Sequence, residues 1–296
     1  MRSGLRIAVG IATAGRRVIL AETLLELTRQ TRLPEAVLIC PAAADDFDTS
    51  QTPKLPFGVK VVTGSRGSSA QRNAILDAAQ QFDIVMFFDD DFFAAPTYLA
   101  ELEACFAANP SVVVATGRTL ADDIKGPGLQ AGEARTIIAS FVPSDEALPL
   151  TDHYAGYGCN MAVRLDPVRT HGLRFDENLP LYGWAEDVDF SRQLAAYGRI
   201  VKNRRMTGVH LGIKGGRTSG IRFGYSQIAN PYYLWRKGTT RGGGALSQLV
   251  RNVLVNIIKS IRPEPWIDRR GRALGNLLGL ADFFRGRLDP RRILKL

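Results

Sequence analysis

The chain has 296 residues, 45% hydrophobic and 23% charged, enough apolar material for one large domain or a domain with a helical appendage. That composition excludes a small disulfide scaffold and wholesale disorder. The formal charge of +9 conceals an asymmetry: residues 1–198 carry 17 Lys/Arg against 25 Asp/Glu, whereas residues 199–296 carry 21 against 4. An acidic body followed by a basic tail points the tail toward nucleic acid, membrane phospholipid or a phosphorylated substrate. Cys40, Cys105 and Cys159 are widely spaced and form no CxxC pair, as expected of reduced thiols in a cytosolic compartment. No apolar run approaches the roughly 20 residues of a membrane span. The short apolar stretch Leu5–Ala12 reads as a strand and not as a secretory signal.

In chain order, Leu5–Ala12 ends in Thr13-Ala14-Gly15-Arg16 and is followed by a helix over 18–31, with Leu20, Leu24, Leu25 and Leu27 on its buried side. Beyond Pro34, residues 36–40 form a second apolar strand; a polar loop over 42–58 and a third strand at 59–62 follow. Ser68 or Ser69 caps a helix over 70–81, and Ile84-Val85-Met86-Phe87-Phe88 is a fourth strand. A helix over 96–108 and a strand over 112–116 continue the alternation. Residues 117–155 carry no secure pattern. A ribbon at 159–164, a helix over 185–197, and short strands at 199–203 and 207–209 complete the body. Apolar strands alternating with helices imply a mostly parallel α/β sheet covered on both faces, with ligands beyond the carboxyl ends of the strands.

Four segments carry chemistry. Asp89-Asp90-Asp91 directly follows an apolar strand. Three adjacent carboxylates repel one another and call for a cation, and hard oxygen ligands suit Mg²⁺ or Mn²⁺ held with a diphosphate; the alternative is a solvated acidic turn. Gly183-Trp184-Ala185-Glu186-Asp187 opens a helix, where the dipole favours ionised carboxylates and a well-placed Asp can take a proton from a hydroxyl. His210 follows a strand, and a neutral imidazole there is a further ligand for Mn²⁺. A Gly67-Ser68-Ser69 loop opening a helix that bears Arg72 suits an anionic ligand.

The ordered set formed by Thr13-Ala14-Gly15-Arg16, Ser68-Ser69-Ala70-Gln71-Arg72-Asn73, Asp89-Asp90-Asp91, Gly158-Cys159-Asn160-Met161 and Gly183-Trp184-Ala185-Glu186-Asp187, followed by His210, resembles family 2 glycosyltransferases of the GT-A fold over residues 5–212. The resemblance implies a Rossmann-like, mostly parallel central sheet flanked by helices. It also implies inverting transfer of a hexose from a nucleotide diphosphate sugar to a hydroxyl of a saccharide or lipid-linked acceptor, in cell-envelope or exopolysaccharide synthesis. Position by position, Thr13, Arg16, Arg72, Asn73, Asp89 and Asp90 match nucleotide-contacting residues. Asp91 and His210 match the ligands of a Mn²⁺ or Mg²⁺ ion, and Asp187 matches the catalytic base. Asn160 matches the donor-sugar pocket, while Trp184 and Glu186 match residues shaping the acceptor pocket. The chain departs from uridine-diphosphate users after the second strand, where Cys40 is followed by Pro41-Ala42-Ala43-Ala44; Asp45 or Asp46 is the substitute from a longer loop.

The expected organisation is a catalytic domain over 1–241, with a nucleotide-sugar half to 116 and an acceptor half from 117, then a basic amphipathic helical extension over 242–296. In that extension Leu246, Leu249, Val250, Val253, Ile257 and Ile261 recur at helical spacing before Pro263, and a second helix spans 273–284. Apolar faces flanked by arginines fit an anionic membrane surface, packing on the catalytic domain, or a dimer contact. The corresponding location is cytoplasmic, with peripheral attachment to the inner face of the membrane under the first of these. Two other classes compete. A sugar-phosphate nucleotidyltransferase should show a Gly-rich loop with Arg and Lys after the first strand, where this chain is sparse. Nucleic-acid binding lacks an aromatic stacking platform, so no nucleic-acid partner is expected.

Overall fold

The structure, a computed structural model, describes residues 4–48, 54–142, 150–216 and 218–296. The first half alternates as expected: β1 (Ile7–Thr13), α1 (Arg17–Leu27), β2 (Ala36–Pro41), β3 (Gly58–Val61), α2 (Ser68–Ala78), β4 (Ile84–Asp89), β5 (Phe92–Ala94) and α3 (Tyr98–Ala108). Then come β6 (Val112–Asp122), α4 (Ala131–Ser140), β7 (Leu150–Asp152), β8 (Asn160–Arg164), α5 (Leu165–His171), α6 (Glu186–Leu194) and β9 (Arg199–His210). Three helices close the chain: α7 (Gly220–Lys237), α8 (Gly242–Ile261) and α9 (Arg269–Phe284).

The strands make one mixed sheet in the order β3-β2-β1-β4-β8-β6-β9-β5, with β7 added beside β9. β3, β2, β1 and β4 are mutually parallel, and β8 lies antiparallel to both β4 and β6. Strand alternation sorts the side chains between two cores. On one face Ile7, Val9, Ile11, Ile84, Met86 and Phe88 pack with Leu20 and Leu24 of α1 and with Leu99 and Leu102 of α3. On the other, Ala8, Val85 and Phe87 pack with Ile75 and Leu76 of α2 and with Phe190 and Leu194 of α6. All three cysteines are free and buried.

Several boundaries differ from the sequence pattern for identifiable reasons. β6 runs on to Asp122 through polar residues because β9 supplies its hydrogen bonds, with register shifts around Gly117 and Leu120. The two short strands expected at 199–203 and 207–209 are one strand, β9; the exposed Arg204 and Arg205 sit at its bulge and mask its continuity. The cap of α2 is Gly67, not a serine: Ser68 Oγ instead donates to Glu186 Oε1. Residues 213–244, without a pattern in the sequence, contain α7, which packs closely against α9. No helix among the described residues is long and apolar enough to cross a membrane.

Candidate functional site

The carboxyl end of β4 delivers Asp89, and the turn into β5 places Asp90 and Asp91 beneath it. Asp90 is buried and accepts hydrogen bonds from Thr13 Oγ1 (2.6 Å) and Arg16 Nη1 (2.9 Å). Burial pushes its carboxyl up to about 7, against the pull of Arg16. Arg16 reaches across from the end of β1; its Nε and Nη2 donate to the carbonyls of Gly215 and Ile213 at 2.8 and 3.0 Å, and Nη1 lies 3.4 Å from Asp91. Thr13, Arg16, Asp90 and Asp91 are thus gathered as expected, but Arg16 spends its donors on carboxylates and on the segment after β9.

Asp91 is fully buried. Its Oδ2 accepts the Ile213 N–H at 2.8 Å, whereas Oδ1 has no hydrogen-bond partner among the described residues. His210, at the end of β9, brings Nε2 to 3.3 Å from that Oδ1 and 3.8 Å from Asp89 Oδ2. Among the described residues, Asp89, Asp91 and His210 bring three donor atoms within 4.8 Å of one another. The opposite ring nitrogen, Nδ1, lies 2.9 Å from Asp122 Oδ1, and Tyr157 donates its hydroxyl to Asp122 Oδ2 at 2.7 Å. A proton on Nδ1 shared with Asp122 leaves the Nε2 lone pair facing the carboxylates, an arrangement that calls for a second proton or a cation between them. Burial opposes charge on this imidazole, but the Asp122 and Asp91 carboxylates hold it well above the usual histidine range. Two hard carboxylates with one imidazole, and an orphaned buried oxygen among them, fit a divalent ion such as Mn²⁺.

A second cluster stands at the start of α6. Ala185 adopts a left-handed φ of 73°, an uncommon conformation for a residue with a Cβ, and aims Glu186 and Asp187 into the cleft. Buried Arg72 joins the two clusters: Nη1 pairs with Glu186, Nη2 lies 3.2 Å from Asp89 and donates to the Gly158 carbonyl at 3.0 Å. Burial raises the carboxyls of both Glu186, to about 8, and Asp187, with Arg72 opposing in each. Asp187 Oδ2 accepts the Gly158 N–H at 2.8 Å. A Cβ at position 158 would stand 3.2 Å from Asp187 Oδ2 and 3.4 Å from Arg72 Nη2, so both side chains would have to give by a few tenths of an ångström.

Two residues expected at ligand contacts are held by protein partners. Asn73 is buried and clamps the segment after α5, donating to the Phe175 carbonyl and Glu177 and accepting from the Phe175 N–H. Asn160 is fully buried in β8, where Oδ1 accepts from Thr116 Oγ1 and the Gly117 N–H; it ties β8 to β6. Asp46 holds the first loop, accepting the Gly15 N–H at 2.6 Å and the Ala43 N–H at 2.9 Å, and Asp45 is exposed. Trp184 is half-buried, its carbonyl accepting from Asn230 Nδ2 and its ring centroid 6.3 Å from that of Phe223 on α7. Nothing local marks Asp122 or Phe223, and Tyr157, although it directly precedes Gly158-Cys159-Asn160-Met161, is joined to Asp122 only by the fold; a Tyr and an Asp 35 residues apart carry no local signal.

The same architecture occurs in solved structures. The mannosyltransferase PcManGT from Pyrobaculum calidifontis, in complex with GDP-Man and Mn²⁺, aligns with a TM-score of 0.54 at 15% identity, over 97% of this chain and 83% of that one. S. aureus TarS 1-349 in complex with UDP-GlcNAc aligns at 0.56 and 17% identity, over 98% and 83%. GalNAc-T7 with UDP, GalNAc and Mn²⁺ aligns at 0.56 and 13% identity, over 99% of this chain but 57% of that one. The chain spans 40% of the length of a longer S. aureus TarS structure. At these identities the likeness establishes the GT-A fold. No curated protein matches the chain in sequence. The family model described as "Glycosyl transferase family 2" matches residues 8–169, more than half of the sequence and the part that contains both Arg72 and the Asp89-Asp90-Asp91 turn. The chain belongs to glycosyl transferase family 2.

Proposed function

We propose that this glycosyltransferase is metal-dependent and inverting, moving a hexose from a nucleotide diphosphate sugar to a hydroxyl of a saccharide or lipid-linked acceptor. The observation that carries the reading is the convergence of Asp89, Asp91 and His210 around the orphaned Asp91 Oδ1, with Asp187 linked to the same cleft through Arg72 and Gly158. A divalent cation held by Asp89, Asp91 and His210 would neutralise the charge that develops on the departing diphosphate. Asp187 takes the proton of the acceptor hydroxyl; the oxygen forms the new bond to the anomeric carbon as the bond to the diphosphate breaks and its electron pair leaves with that group. A single displacement of this kind inverts the anomeric configuration.

Arg72 fixes the relation between the two clusters, since one guanidinium contacts Asp89, Glu186 and the Gly158 carbonyl. Glu186, its carboxyl raised to about 8 by burial with Arg72 opposing, is held beside Asp187 by Arg72 and by the Ser68 hydroxyl. Trp184 and Phe223 offer apolar ring faces beside this mouth. The test is a panel of nucleotide sugars assayed for Mn²⁺-dependent turnover and thermal protection, with the product anomer assigned by NMR. Asp91→Asn should abolish the metal dependence; a retained configuration in the product would overturn the single-displacement mechanism.

A further inference from the structure

The helix α8 is inside-out. Leu246, Val250, Leu254, Ile257, Ile258 and Ile261 form one continuous stripe along it, and all are exposed, Leu246 at 62%, Ile258 at 64% and Ile261 at 77%. Its inward face instead carries Asn256, which is 1% exposed. The Asn256 side chain donates to Gln227 Oε1 of α7 (2.7 Å) and Asn276 Oδ1 of α9 (2.9 Å), and accepts from Arg269 Nη1 (3.2 Å). Asn276 in turn donates to the Gly224 carbonyl at 2.7 Å. This network sets the rotation of the helix. Turning α8 to bury the stripe would leave Gln227, Asn276 and Arg269 buried without their partner, so the apolar face is fixed outward.

The charge around the stripe selects what covers it. Residues 242–296 hold 11 Lys/Arg and 4 Asp/Glu. All four carboxylates are committed locally: Glu264 to Lys259 and Arg269, Asp282 to Arg287 and Arg292, Asp289 to Arg291, and Asp268 to the Gly271 N–H. Arg251 on α8, Arg262 at its end and Arg285 at the end of α9 are exposed and stand outside these pairs. Leu277 and Phe284 of α9 are also exposed, at 58% and 82%. A second copy of the chain would bring an equally cationic segment against this one, whereas an anionic bilayer satisfies both the aliphatic stripe and the arginines. We infer that α8, rotationally locked by Asn256, docks the protein on an anionic lipid surface with Leu246, Val250, Leu254, Ile257, Ile258 and Ile261 in the acyl boundary and Arg251 and Arg262 at the headgroups.

The test is co-sedimentation of the full chain with vesicles of phosphatidylcholine alone or mixed with phosphatidylglycerol. The wild type should bind the mixed vesicles and release in high salt. Leu254→Asn/Ile258→Asn should lower the partition coefficient at least about tenfold, as expected for removing several buried methylene groups from a lipid contact. Arg251→Ala/Arg262→Ala should reduce binding to the mixed vesicles alone. Far-ultraviolet circular dichroism and a melt establish that both variants are folded, and Asn256→Leu, which unlocks the rotation, provides an independent variant with weakened binding. Wild-type protein that stays in the supernatant, a stripe variant that binds as well as wild type, or a concentration-dependent dimer abolished by Leu254→Asn/Ile258→Asn would each overturn the inference.

Discussion

The sharpest consequence of the site geometry concerns Asp122, which no local motif announces. Its carboxylate accepts from His210 Nδ1 at 2.9 Å and from the Tyr157 hydroxyl at 2.7 Å, so it fixes both the ring orientation and the nitrogen that carries the proton. In Asp122→Ala the imidazole loses a charge-assisted acceptor, a bond of about 1.5–3 kcal/mol. Loss of such an orienting partner lowers metal affinity about 10–100-fold, which corresponds to about 1.4–2.8 kcal/mol. The two figures agree, so nearly all of the lost hydrogen-bond energy should surface as weaker Mn²⁺ binding. Asp122→Asn keeps an acceptor oxygen at Nδ1 and should lose less, and Tyr157→Phe should lose least, since it leaves the His210 contact in place. The assay is a Mn²⁺ titration followed by electron paramagnetic resonance with nucleoside diphosphate present, alongside a melt to establish that each variant is folded. Unchanged Mn²⁺ affinity in Asp122→Ala would refute the reasoning, because His210 would then need no partner to present Nε2.

Four further outcomes follow from individual contacts. Asp187→Asn should lower kcat by about 10²–10⁴-fold, the usual worth of a positioned base, while donor binding measured calorimetrically is preserved. Burial raises the Asp187 carboxyl above its ordinary range, with the Gly158 N–H and Arg72 opposing. A base works only when ionised, so kcat/KM should rise with pH through that raised pKa, placing the acid limb above that of an exposed aspartate; a flat profile across the acidic range would contradict the assignment. Gly158→Ala puts a methyl 3.2 Å from Asp187 Oδ2, and kcat should fall with little change in melting temperature. Gly275→Val presses on the Ile221 carbonyl, only 2.1 Å from where a Cβ would stand; chemical denaturation should report a loss of about 1–3 kcal/mol.

The nucleotide half was legible because its physics is local. β1, β2 and β4 are apolar runs bounded by turn residues, and burial on both faces requires that composition. The same locality exposed Asp89-Asp90-Asp91, since carboxylates after an apolar strand stand out against their surroundings. The other half was opaque because its order comes from distant partners. β6 beyond Thr116 is a strand only because β9 lies beside it, and α7 is buried by α9 through glycine contacts that no periodicity reveals. Asn73 and Asn160 show the complementary case. Both occupy motif positions, yet their side chains are consumed by Phe175 and Glu177 in one case and by Thr116 and Gly117 in the other. A motif locates a residue in the chain, while its side chain answers to whichever buried polar group lies nearest.

The two arginines explain how an acidic cleft can exist at all. Asp89, Asp90, Asp91, Glu186 and Asp187 crowd one region, and their mutual repulsion would drive proton uptake or local opening. Arg16 answers Asp90 and Asp91 from β1, and Arg72 answers Asp89 and Glu186 from α2. Arg72 lies 5.6 Å from the Phe175 ring centroid and 5.9 Å from that of Phe87, so the surrounding packing limits its movement. Arg16 is tethered through the carbonyls of Ile213 and Gly215 in the segment after β9. The carboxylates are therefore compensated in two different ways. Glu186 at the start of α6 has the packed Arg72 as its partner and Asp187 is held by the Gly158 N–H, whereas Asp90 and Asp91 face Arg16, which also holds the segment after β9. On the proposed mechanism that division suits a base kept in place at α6 and a binding site beneath Asp89 where a cation would take over part of the charge that Arg16 now balances.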